Sequence, residues 1–287
     1  MTDAVVDAHV HLWDLRAMSL SWFRPDLGLP PTALLDGYDA AWLSGSTATP
    51  PGRLIVVQAG DTLREAAWLT RYAAVHPRIA RVVLQYDARP AGSWAGMAQE
   101  LIDHEDSEPQ SRLIAGIRLA TPSGAEDLGD VAGLDPLAEG LARTGRVLEL
   151  LVRPAQLPAA AALAGRHPDL AVVLCHLGLG GERPDAAWQR GLDAVGARHN
   201  TAAKVSGLVR GTPDDAGLPR VLRHALTGFG PQRLLFGGDW PISARFAALP
   251  EVARRTRDAL AEAGVGPGGA VWGHTAEHLY RLDVSSS

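Results

Sequence analysis

The chain has almost no cysteine. Cys175 is the single cysteine among 287 residues, so no disulfide can form within the chain. Small secreted proteins often depend on disulfides, whereas cytosolic proteins keep their thiols reduced. The scarcity of cysteine therefore fits a reducing compartment, and a chain of this length can bury a large core without such cross-links.

Positive charge and long apolar runs are also scarce. Lysine and arginine number 27 against 32 aspartate and glutamate residues, which gives a net charge of −5. Nucleic-acid-binding proteins usually carry a basic excess, so no nucleic-acid partner is expected. No apolar run approaches the ~20 residues of a membrane helix, and the first residues lack the basic and apolar stretches of a signal peptide. We expect a cytoplasmic protein without membrane contact.

A glycine-rich phosphate loop is missing as well. Open doubly wound α/β folds usually carry Gly-x-Gly-x-x-Gly after the first strand, and no such motif follows an apolar run here. The chain instead contains eight short apolar, β-branched runs: Val5–Val10, Leu54–Ala59, Arg81–Tyr86, Leu113–Leu119, Val147–Val152, Ala171–Cys175, Ala203–Leu208 and Leu234–Gly237.

Segments of helical composition separate most of these runs. They are Thr62–Val75, Gly92–His104, Leu134–Thr144, Gln156–Arg166, Asp185–His199 and Asp215–Phe229. Strands that alternate with helices indicate βαβ units and a parallel sheet. Eight such units over this length predict an α/β fold, a (β/α)8 TIM barrel, that forms a single domain over residues 1–287.

Two stretches lack a regular period. Trp13–Ala41 follows the first strand and is rich in proline and tryptophan, and Gly124–Gly133 is a second irregular segment. Loops after the strands of such a barrel form its catalytic face. We therefore expect Trp13–Ala41 to cover the active site.

Two histidines end the first predicted strand, in His9-Val10-His11. Residues two apart in a strand point to the same face, so both imidazoles should lie together at the catalytic face. Paired imidazoles can bind a divalent metal or polarise a carbonyl oxygen. Asp7 shares their parity and could orient an imidazole. A chance pair at a strand end is the alternative.

His176 ends the sixth predicted strand, in Leu174-Cys175-His176-Leu177-Gly178. Its position at the same end of the barrel favours a role in the site, although a hydrogen-bonded core histidine is the alternative. Cys175 has the opposite parity, which predicts a buried, unreactive thiol that faces the helices.

An acidic residue follows the eighth predicted strand, in Leu234-Leu235-Phe236-Gly237-Gly238-Asp239-Trp240-Pro241. The two glycines permit close backbone approach and would present Asp239 at the mouth of the barrel. An aspartate there can act as a general base or ligate a metal. A turn cap before Pro241 is the alternative.

Further segments occur in a characteristic order along nearly the whole chain: Val6–Trp13, Leu20–Trp22, Val56–Ala59, Glu65–Leu69, Gly116–Arg118, Leu150–Pro154, Cys175–Gly178, Lys204–Leu208 and Phe236–Pro241. In this order they resemble the amidohydrolase superfamily, and most closely the sugar-lactonase branch of its amidohydrolase-2 type. That branch includes hydrolases of L-fuconolactone and L-rhamnonolactone and the 2-pyrone-4,6-dicarboxylate lactonase.

The resemblance implies a reaction and a set of roles. A small lactone, either a sugar-acid lactone or a related carboxylated lactone, would be opened by water that Asp239 activates. His9, His11 and His176 would hold one divalent metal ion with Asp239, zinc being the first expectation, or polarise the lactone carbonyl without a metal. Asp239 and His176 are thus the expected catalytic residues.

Five further residues are candidates for substrate binding. Arg118 and Arg153 lie at strand ends and could bind a carboxylate or sugar hydroxyls, with salt bridges between loops as the alternative. Gln58 ends the second strand and Lys204 comes early in the seventh, which makes both weaker candidates. Trp22 could stack on a sugar or close the cavity.

Glu149 shares the parity of Leu151 and Arg153 on the fifth strand. If its carboxylate is buried, it needs arginine or histidine partners.

Three positions depart from the branch. Gly238 stands where serine is common, Cys175 where aspartate or asparagine often precedes the histidine, and Thr275 where asparagine is common. These departures indicate a divergent subgroup.

Two other functions remain open from the sequence. Metal-dependent decarboxylation of an aromatic acid uses a similar residue set in related barrels, but it commonly adds a histidine on the strand that here reads Lys204–Leu208. A barrel that binds a sugar acid without turnover is the non-catalytic alternative, since fold does not fix function. The sequence leaves the oligomeric state open.

Overall fold

Eight parallel strands form one sheet in which neighbours follow chain order. They are β1 (Val6–Val10), β2 (Arg53–Val57), β3 (Ile79–Gln85), β4 (Ile114–Ala120), β5 (Val147–Leu151), β6 (Ala171–Leu174), β7 (Thr201–Val205) and β8 (Leu234–Phe236). The structure is a computed structural model that describes residues 5–44, 49–86, 113–210, 217–266 and 268–282.

The sheet closes where the end of β8 meets β1. Trp240 forms a parallel bridge with Val10, and the His11 main-chain N–H donates to the Trp240 carbonyl oxygen over 2.8 Å. The Asp239 N–H donates to the His9 carbonyl oxygen over 2.8 Å. The strands thus form a nearly closed barrel, which confirms the predicted (β/α)8 architecture.

Helices surround the barrel. Those that the structure describes are α1 (Leu35–Leu43), α2 (Leu63–Ala74), α3 (Leu134–Thr144), α4 (Leu157–Arg166), α5 (Ala186–Gly196), α6 (Gly217–Phe229), α7 (Leu249–Glu262) and α8 (His274–Leu279). Thr62 caps α2 by accepting from the Glu65 N–H, and Asp185 caps α5 by accepting from the Trp188 N–H. Such caps satisfy N–H groups that a helix start leaves without partners.

The apolar core has two layers. The larger layer lies between the strands and the surrounding helices. The smaller one fills the barrel and contains Val6, Ala8, Ile55, Val57, Val83, Val147, Val173, Ala202 and Leu235. Tyr280 and Leu282, which follow α8, pack into this inner layer and close the barrel at the amino ends of the strands.

A β-bulge interrupts β1. Asp7 pairs with Leu54 and Val10 pairs with Val56, so β1 advances three residues while β2 advances two. The extra residue reverses the alternation of side chains along β1. Ala8 and Val6 belong to the inner layer, whereas Val10 belongs to the outer layer.

The bulge turns Asp7 away from the barrel interior. Its Oδ2 accepts from the Tyr38 hydroxyl of α1 over 2.8 Å, and its Oδ1 accepts from the Gly238 N–H over 2.7 Å. Asp7 also accepts from the His9 main-chain N–H over 3.1 Å, but it forms no hydrogen bond with an imidazole of the residues that the structure describes. The expectation that Asp7 orients an imidazole was therefore wrong, because parity does not carry across a bulge.

Most predicted elements are confirmed within a few residues. Gly92–His104 lies outside the described residues. Trp13–Ala41 was predicted to be irregular throughout, but its last part belongs to α1, and Trp13–Asp14 pairs with Thr32–Ala33 in a short antiparallel ribbon. Gly37 inside α1 and the prolines shortly before it concealed the helix. Among the described residues, no helix combines the length and the apolar character needed to cross a membrane.

Candidate active site

A cavity of about 710 Å³ opens at the carboxyl ends of the strands. Its wall includes His11, Arg118, His176 and Asp239, which come from or just after β1, β4, β6 and β8. Barrel enzymes carry their active sites at this end, and the volume suits a small molecule.

His9 lies within the bulged stretch between Asp7 and Val10, and His11 follows it, with the two rings side by side. Their Nε2 atoms are 3.2 Å apart, and Nδ1 of His11 lies 2.7 Å from the carbonyl oxygen of Val57. A carbonyl oxygen only accepts, so Nδ1 of His11 carries the proton and Nε2 of the neutral ring carries a lone pair. His9 is completely buried, and its Nδ1 has no hydrogen-bond partner among the described residues.

His176 reaches the same cluster from the end of β6. Its backbone is left-handed with φ 53, and its ring centroid lies 4.7 Å from that of His9. Its Nδ1 lies 2.8 Å from the Ser206 hydroxyl. A non-glycine residue held in such a sparsely populated region costs on the order of 1–3 kcal/mol, and residues of this kind concentrate at functional sites.

Asp239 has the same backbone conformation, with φ 53. Its Oδ1 lies 3.7 Å from Nε2 of His9 and 3.8 Å from Nε2 of His11. A Cβ on Gly237 would lie 2.6 Å from Cβ of His9, and one on Gly238 would lie 2.5 Å from Oδ2 of Asp7. The two glycines therefore allow β8 to approach β1 closely enough to place Asp239 beside the histidines.

Burial controls the protonation of this cluster. Burial raises the pKa of Asp239 to about 7, although the positive charge of Arg118 opposes the rise. Burial also lowers the pKa of His9 and His11 well below its usual value, and with the charge of Arg118 it lowers the pKa of His176 to about 3. At neutral pH the site combines neutral imidazoles with a carboxyl group that is poised to exchange a proton.

Arg118 is held at the cavity wall by two hydrogen bonds. Its Nε donates to Oε1 of Gln85 over 2.9 Å, and its Nη2 donates to the carbonyl oxygen of Gln58 over 2.6 Å. Within the described part of the chain, its Nη1 has no hydrogen-bond partner. A fixed guanidinium with a free N–H group is suited to bind an oxygen atom of a ligand.

Comparison with known proteins identifies the chain's relatives. The family model described as amidohydrolase matches residues 6–282. The chain belongs to the amidohydrolase family. The family resemblance inferred from the motifs is thereby confirmed.

Two curated relatives of this amidohydrolase are described as L-fucono-1,5-lactonase. The protein from Burkholderia multivorans is 31% identical, with 96% of each chain covered. The protein from Burkholderia ambifaria is 27% identical, with 98% of this chain and 97% of the relative covered. A crystal structure of a Burkholderia multivorans amidohydrolase with bound zinc is 29% identical, with a TM-score of 0.79 over 97% of this chain and 99% of the other.

The amidohydrolase site has the donor atoms of a metal centre. One donor atom each from His9, His176 and Asp239 lies within 4.8 Å of the others, and Nε2 of His11 is close to two of these residues. Neutral imidazoles and a carboxylate are common ligands of divalent transition metals. Because Nδ1 of His11 carries the proton, its Nε2 offers a lone pair and can coordinate a metal ion. These residues therefore fit one divalent ion.

The thiol of Cys175 faces the barrel interior, which corrects the expectation that it faces the helices. Its Sγ donates to Oε2 of Glu149 over 3.5 Å. The chain leaves β6 and turns at His176, so His176 does not follow the alternation of the strand and gives no measure of the parity of Cys175. Burial raises the pKa of the Cys175 thiol to about 12, in agreement with the expected lack of reactivity.

Lys204 lies below the cavity rather than on its wall. Its Nζ donates to both carboxylate oxygens of Glu149 over 2.6 and 2.7 Å, and both residues are completely buried. The Tyr280 hydroxyl donates to the same carboxylate over 2.6 Å. Lys204 is therefore not among the described residues of the cavity wall, and Glu149 has a lysine partner where arginine or histidine was expected.

The structure places two other substrate candidates, Trp22 and Arg153, in different positions. Trp22 lies on the wall and donates through Nε1 to the carbonyl oxygen of Ala59 over 2.9 Å. Arg153 instead donates hydrogen bonds to the carbonyl oxygens of Pro122 and Gly124, and so joins neighbouring loops.

Gln58 does not contribute its side chain to the cavity wall. The side chain accepts from the Gln85 main-chain N–H over 2.9 Å and donates to the Thr62 carbonyl oxygen over 3.1 Å. The side chain thus turns toward the start of α2, where it also donates to Oε2 of Glu65 over 3.4 Å.

Several residues of the site were missed in the sequence. Ser206 binds His176, Gln85 holds Arg118, and Arg210 and Arg245 lie exposed on the cavity wall. Ser206 and Gln85 follow or end apolar strands, the same signal that identified His176. Arg210 and Arg245 lie in loops, where no periodic pattern marks them.

Proposed function

We propose that this chain hydrolyses a small lactone, and that a sugar-acid lactone is the first substrate class to test. The observation that carries this proposal is the placement of Asp239, a buried carboxyl group on the cavity wall whose Oδ1 lies 3.7 and 3.8 Å from the Nε2 atoms of His9 and His11. A general base must lie within reach of the water molecule that it activates. The two L-fucono-1,5-lactonase relatives support the substrate class.

Asp239 is the group that moves protons. As a carboxylate it takes a proton from water while the water oxygen forms a bond to the lactone carbonyl carbon. The ring C–O bond then breaks, and Asp239 returns the proton to the departing alkoxide oxygen. The product is the open hydroxy acid, so one water molecule is consumed and Asp239 returns to its carboxylate form.

His9, His11, His176 and Asp239 would hold one divalent ion, and we propose zinc because a related amidohydrolase structure contains it. A divalent ion supplies a Lewis acid that stabilises negative charge on the carbonyl oxygen. The free Nη1 of Arg118 would bind a second oxygen of the substrate and fix its orientation above Asp239.

The direct test is Asp239→Asn, with Asp193→Asn as the control because Asp193 is exposed on α5 beside His224. Lactone hydrolysis is followed by proton release on a panel of aldonolactones, with and without chelator. We expect the Asp239 variant to lose on the order of 10²–10⁴-fold in kcat, and the control to remain active. Turnover by Asp239→Asn at the wild-type rate would contradict the proposal.

The same panel separates the other two functions. Binding of a lactone without proton release would indicate a non-catalytic barrel. Release of carbon dioxide from a hydroxybenzoate would indicate a decarboxylase, a reaction for which neither β7 nor Ser206, the residue after it, offers a histidine.

A further inference from the structure

A cluster of buried polar side chains lies directly beneath the histidines. Glu149 accepts two hydrogen bonds from Lys204, one from the Tyr280 hydroxyl and one from the Cys175 thiol. All four residues are at most 1% exposed. The mechanism proposed above uses none of them.

This cluster touches the site through His9. A ring nitrogen of His9, the Cys175 Sγ and a Glu149 carboxylate oxygen all lie within 4.8 Å of one another. The Nε2 of His9 lies with His11 and Asp239 on the cavity side. Its Nδ1, completely buried and without a hydrogen-bond partner among the described residues, is the nitrogen left to face the cluster.

The cluster is poorly suited to hold a second metal ion, although imidazole, thiolate and carboxylate are all ligand types. The Lys204 ammonium already lies 2.6 and 2.7 Å from the two carboxylate oxygens. The positive charge of Lys204 therefore already lies beside Glu149, where a second metal ion would have to bind. The thiol also keeps its proton, which it donates to Glu149.

The neutral imidazole of His9 carries one N–H proton, on either Nδ1 or Nε2. A ring that offers the Nε2 lone pair to a cation must carry its proton on Nδ1, and a buried N–H group needs an acceptor. The four hydrogen bonds that Glu149 accepts occupy its carboxylate, whereas the Cys175 sulfur retains lone pairs. Histidines that ligate metals commonly donate their second N–H in this way, which fixes the ring's orientation.

We infer that Cys175, held in place by Glu149, is a positioning residue that accepts the Nδ1 proton of His9 and thereby prepares Nε2 to bind a divalent ion. In the zinc form, the hydrogen bond from His9 Nδ1 to the Cys175 sulfur would add to the one that the thiol already donates to Glu149. The hydrogen bonds from Lys204 and Tyr280 hold the Glu149 carboxylate in its orientation. The inference rests on the metal-binding part of the proposed function and not on the identity of the lactone.

The test is the affinity of the purified, metal-free protein for zinc, measured by competition with a chelating dye. Cys175→Ala removes the acceptor and should weaken zinc binding by about 10–100-fold. Cys175→Ser restores a group that both accepts and donates, and should bind zinc within about threefold of the wild type. Val173→Ala is the matched control, because Val173 is equally buried on the same strand and faces the same interior without a polar group.

The proton itself gives a second readout. In ¹⁵N NMR spectra of histidine-labelled protein, the zinc form should show His9 protonated on Nδ1, and Cys175→Ala should shift that resonance. The neutral double variant Glu149→Gln/Lys204→Met preserves the volume of the buried pair without its charges, and should weaken zinc binding as well.

Unchanged zinc affinity in Cys175→Ala, together with a loss of thermal stability like that of Val173→Ala, would show a packing role and overturn the inference. A wild-type protein that binds no zinc but still opens lactones would also overturn it. That last result would leave the proposed hydrolysis intact, so the two proposals can fail separately.

Discussion

Nδ1 of His176 lies 2.8 Å from the hydroxyl of Ser206, which comes one residue after β7. The contact joins the ends of two neighbouring strands and fixes the ring of a residue whose backbone is already left-handed. Outer partners of this kind commonly contribute 10–100-fold to activity or metal affinity.

Ser206→Ala should therefore reduce kcat by roughly tenfold while thermal stability changes little, since a typical hydrogen bond contributes about 1 kcal/mol. Ser206→Thr, which keeps the hydroxyl, is the control. Steady-state kinetics and thermal unfolding check this prediction. If the alanine variant matches the wild type in kcat, Ser206 does not orient His176.

The carboxyl group of Asp239 should titrate near neutrality in the metal-free protein. Because its pKa is raised to about 7, the carboxylate form that accepts a proton is present above that pH and is lost as the pH falls through it. The ¹³C shift of the labelled carboxyl group reports the transition, and Asp239→Asn identifies its signal. A midpoint near that of an ordinary aspartate, about 3.9, would be inconsistent with the burial of this group.

Removing the positive charge of Arg118 should shift the pKa of Asp239. The positive charge of Arg118 lowers the pKa of Asp239, so Arg118→Gln should move the midpoint upward. Arg153→Gln is the matched control, because the Arg153 side chain is not part of the described cavity wall and binds the carbonyl oxygens of Pro122 and Gly124. Equal shifts in the two variants would mean that the effect is not local to Arg118.

The same pair of arginine variants should differ in kinetics. Arg118→Gln removes the free N–H group on the cavity wall and should raise KM by about tenfold, which corresponds to a loss of about 1.4 kcal/mol in binding free energy. Arg153→Gln should instead lower thermal stability, since it releases the carbonyl oxygens of Pro122 and Gly124. A KM effect confined to Arg153→Gln would reverse these assignments.

A methyl group at Gly237 should disturb the site directly. It would lie 2.6 Å from Cβ of His9 and 2.9 Å from Cβ of Ser206, so one of these residues must move. We expect Gly237→Ala to destabilise the protein by about 1–3 kcal/mol and to weaken metal binding. Gly52→Ala, where a Cβ would meet nothing within 4 Å, is the control. Urea unfolding and dye competition provide the two measurements.

The barrel and its main cluster could be predicted because they depend on local patterns. Apolar runs that alternate with helical segments define a parallel sheet, and residues at the carboxyl ends of its strands must meet at one face. His9, His11, His176 and Asp239 all satisfy that rule, and the structure brings them together.

What could not be predicted depends on exceptions to strand alternation. The bulge in β1 turned Asp7 outward. Because the chain turns at His176, the parity of that residue wrongly predicted that Cys175 faces the helices rather than the barrel interior. The choice between Gln85 and Gln58 on the wall depends on side-chain torsions that no pattern of burial encodes.

The seam that closes the barrel has a consequence for synthesis of the chain. Gly238 binds Asp7 across 231 residues of sequence, and the neighbouring backbone pairs join His9 and His11 to Asp239 and Trp240. A ribosome must therefore extend the chain by 231 residues beyond Asp7 before the first strand finds its last partner. Contacts between residues so far apart form late and slowly. Fragments that stop before β8 lack both the seam and the site, so activity appears only when the two ends of the barrel have met.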